Sequence, residues 1–256
     1  MSVVGKSITS IAEVHSFILQ GAIDKTQLLV VFDMDLTLTM PQLPALLYLT
    51  KAEYRAKVQK ILSPLQDAER RKVLTLGLQV SQHQLIEELA PEIIQDIQST
   101  EIKSIVLTAN LTGQLNNDAP LELQRFQKLK ELGIVLKNIC TQERVLLANN
   151  LPSCSENSPI YYRGILCANG EPRTNIKGPA LVSFLHYIQF YPQQIIMIDD
   201  KREHLAYVQQ TLATLQPTIQ FVGFEYVGVY KHIPKVIDEE YFSSYWEGLV
   251  DQVLRS

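Results

Sequence analysis

Two acids separated by one residue close the first strongly apolar run of the chain. Leu28 to Phe32 (LLVVF) leads into Asp33-Met34-Asp35-Leu36-Thr37. If that run is a strand, both carboxylates sit at its C-terminal end, the edge at which open parallel sheets bind ligands. Side chains two apart on an extended chain share one side. The two acids would then repel each other unless a cation, or a proton on one of them, relieved the pair. Similar endings recur downstream. Ser104 to Leu107 runs into Thr108, followed by Ala109 and Asn110, and Gln194 to Ile198 runs into Asp199-Asp200. Lys177 stands before a helical pattern, in Ile176-Lys177-Gly178-Pro179. Four carboxylates, one hydroxyl and one ammonium make an inventory suited to a hard cation such as Mg²⁺, which takes oxygen ligands and keeps waters beside a substrate phosphate.

The elements that must position these residues read as alternating strands and helices. Besides the three runs above, Ile134 to Leu136 and Ile219 to Phe224 are short and apolar on consecutive positions, as strands buried on both faces are. Leu123, Phe126, Leu129 and Leu132 recur at helical spacing, as do Leu181, Phe184, Leu185 and Ile188. Ile8, Ile11, Val14 and Ile18 predict an amphipathic N-terminal helix. This βαβα rhythm predicts an α/β fold, a doubly wound parallel sheet. The stretch from Met40 to Lys103 breaks the rhythm and is too long for a bare loop. Pro44, Pro64 and Pro91 punctuate it, Ser81 with Gln84 reads as a capping box, and three or four inserted helices are expected. The expected division is therefore a core of residues 1–39 and 104–256 with a helical insert at 40–103. A smaller insert is expected near 149–176, where Asn169-Gly170 beside a strand-like run predicts a hairpin turn.

In order and residue type, these features resemble the haloacid dehalogenase (HAD) superfamily. The resemblance rests on an apolar strand entering DxDxT (Asp33, Asp35, Thr37), a strand ending in Thr108, Lys177 before a helix, and a strand ending in Asp199-Asp200, and it spans about Leu28 to Phe224. Val31-Phe-Asp-Met-Asp, Lys177-Gly-Pro and Ile198-Asp-Asp-Lys are also similar to a little-characterised HAD branch of intracellular bacteria. The resemblance implies a HAD-like Rossmannoid core with an inserted helical cap, and a Mg²⁺-dependent phosphomonoesterase. Asp33 would be the nucleophile that becomes an aspartyl-phosphate, and Asp35 the acid and base for the leaving group and water. Thr108 and Lys177 would bind phosphoryl oxygens. Asp33, Asp199, Asp200 and the backbone carbonyl of Asp35 would hold Mg²⁺. Asn110 is a further candidate for substrate phosphate contact, or a cap. The family's usual additional Asp after the paired acids is missing. Glu203 stands nearby, either replacing it or without a role, and His204 is the histidine nearest the acids in sequence.

Composition narrows the classes further. The net charge of −4 disfavours nonspecific nucleic-acid binding, which needs a basic surface. Cys140, Cys154 and Cys167 make no disulfide framework and no C-x-x-C, which reads as a reducing compartment. With no signal-peptide pattern and no apolar run near ~20 residues, a cytoplasmic protein without a membrane partner is expected. A small phosphorylated molecule is the expected substrate, with a host-protein substrate or protein partner carrying no support of its own. Two other readings stay open: a HAD-fold phosphomutase, and a HAD-fold interaction protein with vestigial chemistry. The aromatic group Tyr226, Tyr230, Tyr241, Phe242, Tyr245 and Trp246 is expected to pack in the core, or as a helix against the sheet edge, rather than to form a recognition patch.

Overall fold

The computed structural model describes residues 3–21, 24–114, 118–147, 151, 157–170, 175–216, 218–236 and 238–255. The chain divides into two compact units. The first comprises Met1–Leu38 and Leu85–Gly228, and the second Thr39–Gln84 and Val229–Ser256.

The first unit is α/β, built on a mostly parallel sheet. Its strands are β1 (Val3–Ile8), β2 (Leu28–Phe32), β5 (Lys103–Thr108), β6 (Arg144–Leu146), β7 (Ile160–Tyr162), β8 (Ile165–Cys167), β9 (Gln194–Asp199) and β10 (Gln220–Tyr226). They lie in the order β1-β10-β9-β2-β5-β8-β7-β6. Pairing is parallel from β1 to β8 and antiparallel across β8-β7-β6. All five residues of β2 are buried, as a central strand covered on both faces requires. From β2 the chain moves to β5 on one side and later returns to β9 on the other, so the strand order reverses at β2. Open α/β sheets bind ligands at such a switch point, beyond the carboxyl ends of the strands.

The helices of this unit are α1 (Ile11–Gln20), α5 (Ala90–Ser99), α6 (Leu121–Glu131), α7 (Lys177–Ile188) and α8 (Arg202–Leu212). Helix α1 begins at a capping box in which the Ser10 side chain and Glu13 each satisfy a backbone N–H, and it buries Ile11, Val14 and Ile18. The Glu87 carboxylate also accepts from Ser10 Oγ (2.5 Å), Ile11 N (2.8 Å) and Tyr226 Oη (2.9 Å). Ile8, expected in this helix, is instead the last residue of β1, a strand the helical spacing concealed. Ile134 to Leu136 forms no strand. Ile134 and Leu136 are buried, but side chains take the place of a neighbouring strand. Gln98 receives the Lys137 N–H and donates to the Val135 carbonyl, and Tyr161 Oη receives the Ile139 N–H.

The second unit joins a two-stranded sheet, β3 (Thr39–Pro41) with β4 (His83–Leu85), to α2 (Pro44–Leu47), α3 (Ala52–Leu62), α4 (Asp67–Val80) and α9 (Glu239–Leu254). Tyr48, Tyr54, Val58, Leu62 and Val73 pack with Phe242, Trp246 and Leu249 of α9. Its boundaries differ from the expected insert at both ends. Residues 85–103, with α5, belong to the first unit, and the C-terminal helix belongs to the second. Helical spacing reveals a helix but not the layer on which it packs. The capping box lies at Gln66 and Glu69, at the start of α4; Ser81 instead ends that helix, and Gln84 lies in β4.

The hairpin of the first unit turns at Arg163-Gly164, not at Asn169-Gly170. Both turn residues have positive φ (45° and 94°), as a two-residue hairpin loop between β7 and β8 demands. The hairpin extends the main sheet rather than forming a separate wall. Residues 149, 150 and 171–174, at the flanks of the expected insert, lie outside the described residues, as does Cys154. An added Cβ at Gly164 would lie 2.5 Å from Leu136 Cβ, and positive φ strains any other residue. Gly164→Ala should therefore cost about 2 kcal/mol or more of unfolding free energy in a urea titration. A loss under about 0.5 kcal/mol would show that the turn relaxes freely.

Candidate active site

Adjacent strands β9, β2 and β5 deliver the chemistry-bearing residues to one edge of the sheet. Phe32 pairs with Ile198, and the next N–H, of Asp33, donates to the Ile198 carbonyl at 2.8 Å. Asp33 therefore leaves β2 beside the point where Asp199 ends β9. Both carboxylates are buried, 4% and 0% exposed, and Lys177 between them is 4% exposed. Its Nζ donates to Asp33 Oδ1 at 2.5 Å and to Asp199 Oδ2 at 2.6 Å. Lys177 opens α7. Gly178 permits this placement, because a Cβ there would come within 2.9 Å of Thr211 Cβ and 3.3 Å of the Tyr207 carbonyl on α8. The Lys177-Gly178 pair thus couples a close helix contact to the position of the ammonium.

Asp200 completes the acidic group. Asp33, Asp199 and Asp200 each offer an oxygen within 4.8 Å of the others, a grouping that could hold a metal ion. The Asp35 carboxylate is not part of it. Strand β2 ends at Phe32, and Asp35 stands beyond it in an isolated β-bridge. A turn follows, with Leu36 in the left-handed region (φ 66°) and the Leu38 N–H on the Met34 carbonyl. That turn also brings Thr37 Oγ1 to Asp33 Oδ2 at 3.2 Å. Asn110 Nδ2 donates to Asp35 Oδ2 at 2.8 Å, and the Asn110 N–H donates to the buried hydroxyl of Thr108 at 3.3 Å. Thr108 and Asn110 are therefore brought to the side of Asp35, with Asn110 holding that acid.

His204 in the first turn of α8 was legible only as a lone histidine near the acids. Its Nδ1 lies 3.1 Å and 3.3 Å from the two oxygens of Asp199, whose Oδ1 also accepts the Lys201 N–H at 2.9 Å. The signal available in the sequence was its spacing, five residues beyond Asp199, one helical turn past a strand end. Glu203 is exposed and lies outside the acidic group.

The electrostatics divide the three acids. Burial raises the Asp33 carboxyl above its ordinary value, more than the Lys177 ammonium lowers it. Burial raises Asp200 further, reinforced by Asp33 and Asp199. Burial also opposes charge on Asp199, but Lys177 and His204 together outweigh it and leave that acid low. Burial disfavours the Lys177 ammonium too, yet Asp199 and Asp33 hold it protonated well above the ordinary lysine range. Of the three acids, Asp199 alone is held below its ordinary value, by Lys177 and His204 together. A cation among the oxygens would draw the other two into their charged forms, so the donor set fits a hard divalent ion.

Asp33 and Asp200, raised above 3.8, bind protons more readily folded than unfolded. Their contribution to stability therefore falls as pH rises above 3.8 toward their folded values. Asp199 works the other way, adding stability above 3.8 that is lost below it. A cation needs ionised carboxylates, so its binding strengthens over the range in which Asp33 and Asp200 lose protons. Adding about 10 mM Mg²⁺ should raise the unfolding temperature by about 3 °C more at about pH 7.5 than at about pH 5. An equal effect at both pH values, or none, would count against a cation on these acids.

Comparisons with known proteins place the chain without assigning it an activity. Residues 7–251 match the family described as "Protein of unknown function (DUF2608)". An uncharacterised protein of Rickettsia bellii is 28% identical over 204 residues, covering 78% of this chain and 68% of the relative. Uncharacterised proteins of Rickettsia conorii and Rickettsia felis are each 27% identical, over 164 and 165 residues, which is 64% of this chain and 54% of each relative. This chain thus spans about half the length of those two relatives. No helix among the described residues is long and apolar enough to cross a membrane. With its match running from residue 7 to residue 251, the chain belongs to the DUF2608 family.

Proposed function

We propose that this protein is a Mg²⁺-dependent phosphomonoesterase of the HAD type, acting on a small phosphorylated molecule in the cytoplasm. The observation that carries the reading is Lys177 bridging Asp33 and Asp199 at the ends of β2 and β9, with Asp200 completing a cation-sized group of oxygens. The second unit supports it by position in the chain. Residues 39–84 interrupt the sequence between Asp33 and Thr108, where the HAD resemblance expects a helical cap to be inserted.

In this reading the Asp33 carboxylate attacks phosphorus. An oxygen–phosphorus bond to Asp33 forms as the bond to the leaving oxygen breaks, and that oxygen takes the proton of Asp35. Asp35, now ionised, removes a proton from water. The water oxygen attacks the aspartyl-phosphate, which releases inorganic phosphate and restores Asp33. Asn110 fixes the carboxyl of Asp35 on one oxygen, so that the same group serves both half-reactions. Thr37 holds one oxygen of Asp33 while Lys177 holds the other. Lys177 and Thr108 bind phosphoryl oxygens, and His204 and the Lys201 N–H orient Asp199. Asp33, Asp199, Asp200 and the Asp35 carbonyl would hold Mg²⁺, which supplies positive charge that keeps Asp33 ionised and neutralises the transferring phosphoryl group. The complete set of Asp33, Asp35, Thr108, Lys177, Asp199 and Asp200 argues against a vestigial site.

Hydrolysis of an aryl phosphate by the purified protein tests the reading. Turnover should require Mg²⁺, stop with chelator, and fall by at least about 10³-fold in Asp33→Asn. Activity that survives this substitution would remove Asp33 as nucleophile. No turnover of any phosphate ester, with Mg²⁺ bound, would favour a mutase or a binding protein. Asp35→Asn should depress kcat by about 10²-fold or more for alkyl phosphates, and by less for aryl phosphates whose leaving groups need little protonation. Equal losses on both would deny Asp35 its role as acid.

A further inference from the structure

Helix α6 presents two cations on one face. Arg125 and Lys128 are three residues apart, a spacing that makes them neighbours on a helix surface, where like charges repel. Arg125 is 6% exposed, and its buried Nε meets no hydrogen-bond partner among the described residues. The nearest acid on its own helix is already engaged. Glu122 receives the Arg144 guanidinium on one oxygen and the Gly113 N–H on the other. A buried guanidinium with an unmet donor beside a second cation is costly to the fold.

The first turn of α6 is tied to the loop that follows Asn110, for the Leu121 N–H donates to the Gly113 carbonyl and the Gly113 N–H to Glu122, and the charge interactions agree with that placement. Arg125 and Asp35 both act on the buried Cys167 thiol, which pairs with Thr108 across β5 and β8. Burial, then repulsion from Arg125, pulls the Lys128 ammonium down to about 8, against an upward pull from Asp35. The charges that act on Asp33 are instead those of Lys177, Asp199 and His204. Arg125 and Lys128 thus stand on the side of the site that holds Asp35 and Thr108.

We propose that Arg125 and Lys128 form an anion subsite for the leaving-group half of the substrate, so that the substrate is a phosphate monoester bearing a second anionic group. This assignment rests on the phosphatase reading for its chemistry, because Asp35 is the residue that meets the leaving oxygen. The second group is a carboxylate or a second phosphate. A guanidinium presents paired donors that match either, and the neighbouring ammonium adds charge to both.

The test compares three esters: phenyl phosphate, with no second anion, 3-phosphoglycerate, with a carboxylate, and fructose 1,6-bisphosphate, with a second phosphate. Arg125→Gln and Lys128→Gln should each lower kcat/KM for one of the anionic esters, relative to phenyl phosphate, by about tenfold or more, mainly through KM. The ester that responds identifies the second anion. Ratios that stay within about twofold for both esters overturn the subsite, whatever the absolute rates. Lys128 is only half-buried, so its variant tests the subsite even if Arg125→Gln fails to fold. Calorimetric binding of the same two esters to Asp33→Asn, with Mg²⁺ and with or without Lys128→Gln, separates this proposal from the one before it. Wild-type protein that hydrolyses none of the esters, with binding to Asp33→Asn weakened about tenfold by Lys128→Gln, keeps the subsite and removes the phosphatase. Hydrolysis with no dependence on Arg125 or Lys128 does the reverse.

Discussion

The arrangement at the sheet edge depends on one buried ammonium. Lys177 lies between Asp33 and Asp199, which leave adjacent parallel strands at nearly the same level. Two carboxylates with almost no exposure would repel each other and resist burial. The ammonium makes their approach tolerable because it meets both at hydrogen-bond distance in a medium that screens little. Its own burial is tolerable for the same reason. Loss of Lys177 would leave both carboxylates in the core without that compensation.

Around this pair the rest of the first unit acts as a positioning frame. The switch in strand order at β2 opens the edge where Asp33 emerges. The close contact of α7 with α8 at Gly178 sets the height of Lys177, and α8 returns His204 to the far side of Asp199. The arrangement remains electrostatically incomplete, since Asp33 and Asp200 are both pushed toward their neutral forms. A fold selected only for stability would replace such a group with apolar residues. A ligand that completes the group would repay that cost, and the same reasoning applies to Arg125 on α6.

Much of this was readable from residue order, though not for one uniform reason. Strands β2, β5 and β9 were legible because a strand buried on both faces is apolar at consecutive positions, whatever surrounds it. Helices α6 and α7 were legible from their spacing. Strand β1 was not, because Ile8 also fits the helical period of α1. Ile134 and Leu136 were misleading, since the backbone beside them donates to the Gln98 and Tyr161 side chains rather than to a strand, which no local pattern records. The hairpin turn was placed at Asn169-Gly170 on composition, whereas Arg163-Gly164 has the backbone that the two strands require.

The sequence by itself determined which residues could do chemistry, Asp33, Asp35, Thr108, Lys177, Asp199 and Asp200, and that three of them close buried strands. Hydrophobic runs and the side chains that end them are local properties, written in consecutive residues. Only the tertiary structure decided which of these residues meet. It set Lys177 between Asp33 and Asp199, grouped Asp200 with them, left Asp35 to Asn110, and carried α9 into the second unit rather than onto the sheet. Those outcomes depend on strand order, helix contacts and the energy of burying charge, which arise between segments far apart in the chain.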